Sequence, residues 1–138
     1  MCEKAVTDAG GRRRRRAAEL PSPRVTAPTP LEPAPPQIAR GREVWLKRED
    51  LHELGSFKWR GALPTLREYR TQRGASSFVT ASTGNHGAAT AWAANELGMR
   101  AVVFAPENTS DTKLSRMRAL NADVRLTGTD LDAAKNTA

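Results

Sequence analysis

Apolar and polar positions from residue 43 onward follow two rhythms in turn. Val44, Trp45 and Leu46 mark a strand over residues 43–48, and the polar stretch 49–55 reads as a loop turned at Gly55. Ser56 is placed to cap a helix. Trp59, Ala62, Leu63, Leu66 and Tyr69 then keep helical spacing down to Gly74, with Pro64 expected to interrupt or kink that helix. Residues 77–81 have the β-branched and aromatic bias of a buried strand. Residues 88–97 read as an alanine-rich helix stopped by Gly98. A strand over 101–105 is closed by Pro106, and Ser110 or Asp111 can cap a helix through Leu120. Residues 123–128 read as another strand, and Asp130 caps a last helix still running at Ala138. Strands alternating with helices through short loops predict an α/β fold, an open parallel sheet with covering helices. Three or so parallel strands are few for such a sheet. Together with the unfinished helix, this gives the expectation that the sheet is incomplete and the chain truncated at its C-terminus.

The first part of the chain has a different character. Residues 1–24 lack periodicity and include five consecutive arginines, Arg12 to Arg16, so they are expected to be a disordered basic tail. That tail carries a net +4 of the chain's +7, so the high sequence pI of about 10.5 says little about the remaining residues, 25–138, taken as one domain. Prolines at 28, 30, 33, 35 and 36 predict extended chain, a linker or a strap with Val25 and Leu31 as apolar anchors. Arginines could contact nucleic-acid phosphates. No aromatic residue is interleaved with them, so a stacking platform is missing and a solvated tail is the simpler reading. Cys2 is the single cysteine, which excludes an intrachain disulfide and a cysteine metal cluster and agrees with a cytoplasmic protein. No apolar run has the length of a membrane span, and the arginines precede no hydrophobic segment of an export signal.

Two turns carry candidate chemistry. In the first, Lys58 follows Phe57 and precedes Trp59, with Arg60 two residues on. An amine nucleophile needs partial desolvation or nearby positive charge to be unprotonated near neutral pH, and these neighbours could supply both. A lone lysine at a helix start is more commonly a solvated surface group. In the second, Ser82, Thr83, Gly84 and Asn85 leave a strand and enter a helix, where backbone N–H groups can cradle a carboxylate or phosphate. The Asn85 amide can donate and accept, which suits a phenolic oxygen. The plainer alternative is an ordinary capped turn. A dinucleotide fingerprint is absent, because Gly84 and Gly87 are not preceded by a glycine at 82. Only two histidines, His52 and His86, exist, so no metal site is expected.

Four segments occur here in the order of a known family: Thr29-Pro30-Leu31; Leu46-Lys47-Arg48-Glu49-Asp50-Leu51; Gly55-Ser56-Phe57-Lys58-Trp59-Arg60-Gly61-Ala62; and Ala81-Ser82-Thr83-Gly84-Asn85-His86-Gly87. Over roughly residues 25–138 the chain resembles the tryptophan-synthase-β-like (fold type II) enzymes that use pyridoxal 5'-phosphate, and within them the threonine dehydratase, or serine/threonine ammonia-lyase, branch. The resemblance implies that Lys58 is the cofactor's Schiff-base lysine and moves the α-proton, that Phe57 packs beside the cofactor, and that Asn85 hydrogen-bonds its ring hydroxyl. It implies further that Ser82, Thr83, Gly84 and His86 surround the carboxylate of an amino acid substrate. The reaction would eliminate the β-hydroxyl and yield a 2-oxo acid and ammonia. Relatives that also racemise serine carry serine where Thr83 stands, which weighs against racemisation here. The family's phosphate loop and pyridine-nitrogen partner belong downstream of residue 138, so the chain alone is expected to bind cofactor poorly and to be inactive. Such enzymes are commonly homo-oligomers. Alternatives are another reaction of the family, as in threonine synthase or diaminopropionate ammonia-lyase, or an inactive piece whose arginine tail binds nucleic acid.

Overall fold

The computed structural model describes residues 4–6 and 28–138. The arginine run 12–16 and the anchor Val25 lie outside the described residues. A four-stranded sheet forms the centre, in the order β1 (Lys4–Val6), β4 (Ser77–Ala81), β5 (Arg100–Ala105) and β6 (Asp123–Leu126). The last three are parallel, with Phe78 opposite Ala101 and Val103 opposite Val124. β1 is added antiparallel to β4, a strand inside the segment for which no regular element is expected. Three residues are too few to show a period, and the pairing is supplied by the free edge of β4.

The strand expected at 43–48 exists as β3 (Trp45–Lys47) but joins a separate antiparallel ribbon with β2 (Leu31–Pro33). The proline segment is thus a strap partly paired as a strand. It continues into a short helix, α1 (Pro36–Ala39). Arg48 clamps the ribbon by ion pairs to Glu32 and Asp50.

Helix α2 (Trp59–Arg73) runs through Pro64 without a break. Pro64 is the sixth helical residue and faces solvent, so the ring removes one hydrogen bond, that to the Arg60 carbonyl, without ending the helix. Gly74 does end it: at φ 63° it takes the left-handed conformation and donates to the Arg70 carbonyl. Helix α3 (Asn85–Glu96) starts earlier than the alanine run suggests and is buried almost all round, as expected for a helix without a polar face. It lies between α2 on one side and β4 and β5 on the other. Ala62 and Leu66 of α2, Phe78 of β4 and Ala89, Trp92 and Ala93 of α3 belong to one core cluster. A second gathers Ala88, Val103, Ala105 and, from α4 (Asp111–Ala119), Leu114 and Met117. Ser110 occupies the start of α4 without a side-chain cap, whereas Asp130 does cap α5 (Leu131–Thr137), accepting from the Ala133 N–H at 2.8 Å.

Gly87 is the tightest point of this packing. A Cβ there would lie 2.6 Å from Met117 Sδ and 3.1 Å from both Ser82 Cβ and Val103 Cγ1. Gly87→Ala gains about 1 kcal/mol of helix propensity, but overpacking three neighbours costs about 1–3 kcal/mol. The Met117 sulfur can move; the β-carbon of Ser82 cannot without moving its backbone. The substitution is expected to lower stability by about 1–2 kcal/mol, read as a lower urea midpoint. An unchanged or raised midpoint would show that the contact relaxes freely.

Candidate functional site

The first turn presents its lysine at the beginning of α2. Lys58 precedes the first helical residue with helical backbone angles (φ −59°, ψ −27°), and its carbonyl accepts from the Gly61 and Ala62 N–H groups at 3.2 and 3.1 Å. Ser56 does not cap the helix: its Oγ is buried without a hydrogen-bond partner among the described residues. The helix begins two residues too late for that hydroxyl to reach a first-turn N–H.

Phe57 and Trp59 diverge around the lysine. Phe57 is 60% exposed, and its ring centroid lies 5.2 Å from Lys58 Nζ. Trp59 turns inward, stacked on the buried His52 ring at 4.5 Å, with the Arg60 guanidinium 4.5 Å from the indole. The desolvated amine expected from two aromatic neighbours is therefore not what forms. The Lys58 side chain is exposed, and Arg60, the expected positive neighbour, is neutralised by Glu49 at 2.7 Å.

Beside Lys58 opens a cavity of about 260 Å³ between α2 and α3. Phe57, Lys58, Arg60 and Gly61 line one side, His86 and Thr90 the other. His86 Nε2 lies 3.1 Å from the hydroxyl of Thr80, which is buried at the end of β4. The second turn thus meets the first through His86.

Asn85 is placed differently. With Thr83 and Gly84 it lines a second cavity of about 210 Å³, closed on its far side by Lys113 and Arg116 of α4. Successive helical residues point about 100° apart, so Asn85 and His86 open onto different spaces. Ser82 reaches neither cavity. It is buried, and its Oγ accepts from the Gly84 and Gly87 N–H groups at 3.1 and 2.8 Å. That hydroxyl closes the turn as an inward cap, while the sequence reading placed it around a carboxylate. The Asn85 N–H is a first-turn donor that the helix itself does not pair. Lys113 and Arg116 were not singled out in the sequence; their separation of three residues on a helix is the signal that puts both on one face. Arg116 also donates to the Leu54 carbonyl, tying α4 to the loop before Lys58.

A sheet with three parallel strands, covering helices, a lysine at one helix start and a glycine-bearing turn at the next define the class of the domain as α/β. Residues 24–138 match the family described as pyridoxal-phosphate dependent enzyme, and the chain belongs to it. It is 36% identical over 92 residues to the L-threonine dehydratase biosynthetic IlvA of Haemophilus influenzae, covering 67% of this chain and 18% of that protein. It is 39% identical over 108 residues to the chloroplastic threonine dehydratase 1 biosynthetic of Solanum lycopersicum, covering 78% of this chain and 18% of that one. The processed form of threonine deaminase isoform 2 from Solanum lycopersicum superposes with a TM-score of 0.74 at 33% identity, over 81% of this chain and 31% of the other. The chain thus spans less than a fifth of the length of these curated relatives.

Glu49 is the most strongly perturbed acid of the site. Hydrogen bonds from Arg60 first, then from Thr29 and Trp59, hold its carboxyl down at about 2, against an ordinary 4.5. An acid with a depressed folded value stabilises the fold fully above the unfolded value, and that contribution is lost as pH falls through the folded one. Between pH 4.5 and 2 the urea midpoint of the native chain should therefore fall more steeply than that of Glu49→Gln. Parallel curves would contradict the assignment of this charge.

Proposed function

We propose that the chain forms the lysine-bearing part of a pyridoxal-phosphate dependent ammonia-lyase that converts L-threonine or L-serine to a 2-oxo acid and ammonia. One observation carries the reading: Lys58, just before α2, and His86, the second residue of α3, line the same cavity. The residues there fit an aldehyde on an aromatic ring. They offer one amine, an aromatic edge at Phe57 and the side-chain-free Gly61, and among the described residues the Lys58 ammonium forms no salt bridge that would hold it back.

In this reading Lys58 would hold the cofactor through Nζ, and the same amine would take the proton from the substrate Cα. The bound cofactor supplies the electron sink for the pair that proton leaves behind. At a helix start its Cα is fixed while its stem is free to serve both tasks, and the partial desolvation the amine needs would come with the bound ring. Phe57 covers one side of the cofactor. The resemblance gives Asn85 the cofactor's ring hydroxyl and Thr83 the substrate; both line the neighbouring cavity here, so these roles would require the turn to swing toward Lys58, whereas His86 already borders the Lys58 cavity. The Asn85 N–H, with Gly84 leaving room, offers a donor to the substrate carboxylate at the positive end of α3. Ser82 serves by holding that turn closed. The relatives named threonine dehydratase support the choice of hydroxy amino acids. A cytoplasmic setting and a homo-oligomeric state of the full-length enzyme belong to the same proposal, as does the division into a tail, 1–24, and a domain from residue 25. No helix among the described residues is long and apolar enough to cross a membrane.

The experiment is borohydride trapping of pyridoxal phosphate on the 138-residue chain, followed by peptide mass spectrometry. Lys58 is expected to carry most of the label over Lys4, Lys47, Lys113 and Lys135; an even spread would overturn the role of Lys58. Substrate class is tested by incubating the cofactor-loaded full-length protein with L-threonine, L-serine, O-phosphohomoserine and 2,3-diaminopropionate. Release of a 2-oxo acid and ammonia from the hydroxy amino acids is expected. Turnover of only one of the other two would overturn the assignment.

A further inference from the structure

Glu49 lies in the second motif segment, outside both cavities, and has no part in the chemistry described above. Its carboxylate nevertheless collects donors from three side chains around the lysine turn. Oε1 accepts from the Thr29 hydroxyl at 2.7 Å and from Arg60 Nε at 2.9 Å, and Oε2 accepts from the Trp59 indole N–H at 3.1 Å. Arg60 NH2 adds an ion pair at 2.7 Å and also donates to Thr29 Oγ1 at 3.1 Å. The two residues that immediately follow Lys58 are thus both held by one side chain eleven and ten positions earlier. Trp59 cannot rotate away from it, since the indole is stacked on His52 and set edge-on to Trp92 at 6.0 Å. Thr29, itself buried, carries the same tie to the strap that leads into β2.

We infer that Glu49 is a positioning residue: it fixes the backbone from which Lys58 projects, leaving only the lysine side chain free to move. The role for the amine rests on the proposal made above for Lys58; the fixing of the turn does not. An amine that must leave one bond and then meet a substrate proton needs a fixed origin and a mobile tip, and misplacing a reacting group by about 1 Å is costly. A carboxylate does this better than a neutral acceptor, because its bonds to Arg60 are charge-assisted and it can serve several donors at once.

The test compares the native chain, Glu49→Gln and Val124→Ala, the last thinning the core at the far edge of the sheet. Native-state hydrogen exchange is read at Gly61 and Ala62, whose N–H groups donate to the Lys58 carbonyl. Exchange at both should accelerate at least about tenfold in Glu49→Gln and stay unchanged in Val124→Ala. Unchanged exchange in Glu49→Gln, or equal acceleration in both variants, overturns the inference. Should Glu49→Gln not fold, Trp59→Phe removes the indole donor and part of the stack on His52 and is expected to act in the same direction.

Trapping with pyridoxal phosphate on the same samples separates the two claims. The share of label on Lys58 should drop about fivefold in Glu49→Gln. An undiminished share beside accelerated exchange overturns the positioning of the amine. An even spread in the native chain removes the Lys58 reading and leaves the exchange data to decide whether Glu49 fixes the turn.

Discussion

The close approach of α3 to α2 on one side and to the parallel strands on the other is the constraint on which the site depends. Ala88, Ala89, Ala91, Ala93 and Ala94 are all buried, so α3 can lie against Leu66 of α2 and against β5 with little side chain between. Small residues give up hydrophobic area individually and gain proximity, and in a close-packed interior proximity decides which loops meet. Here it brings two helix starts side by side. Larger residues along α3 would separate the helices and widen the space between Lys58 and His86.

Around those helix starts, side chains divide between holding and acting. Ser82 and Glu49 are polar and belong to recognisable motif segments, yet both are spent on the frame. Ser82 closes the second turn onto Gly84 and Gly87, and Glu49 anchors Trp59 and Arg60 after the first. What remains presented to the cavities is an amine, a ring, an amide, an imidazole and first-turn N–H groups. This division accounts for an exposed Lys58 in a well-fixed turn. Rigidity sits in the backbone and in the neighbours, mobility in the four-carbon stem.

The run from β4 to α5 was legible because each element carries its own boundary signal. Gly74 and Gly98 stop helices, Asp130 caps one, and β-branched strands alternate with them. Topology followed from order alone. The parts that were not legible depend on contacts across space. Ser56 looks like a cap in one dimension but stands too far ahead of the helix; Pro64 looks like a breaker but its lost bond faces water. Lys58 was read beside two aromatic residues without a way to see that Trp59 turns inward to His52 and leaves it exposed. Asn85 and His86 are neighbours in sequence that a helix sends into different cavities.

Lys58 and His86 face one cavity, and the proposed function puts a pyridoxal ring in it. The most direct test is a crystallographic density map of the cofactor-loaded full-length protein. The account predicts density joined to Lys58 Nζ and lying between the Phe57 ring and the start of α3. Density joined to Lys113 or to any other lysine, with the space between α2 and α3 filled by solvent alone, would contradict it.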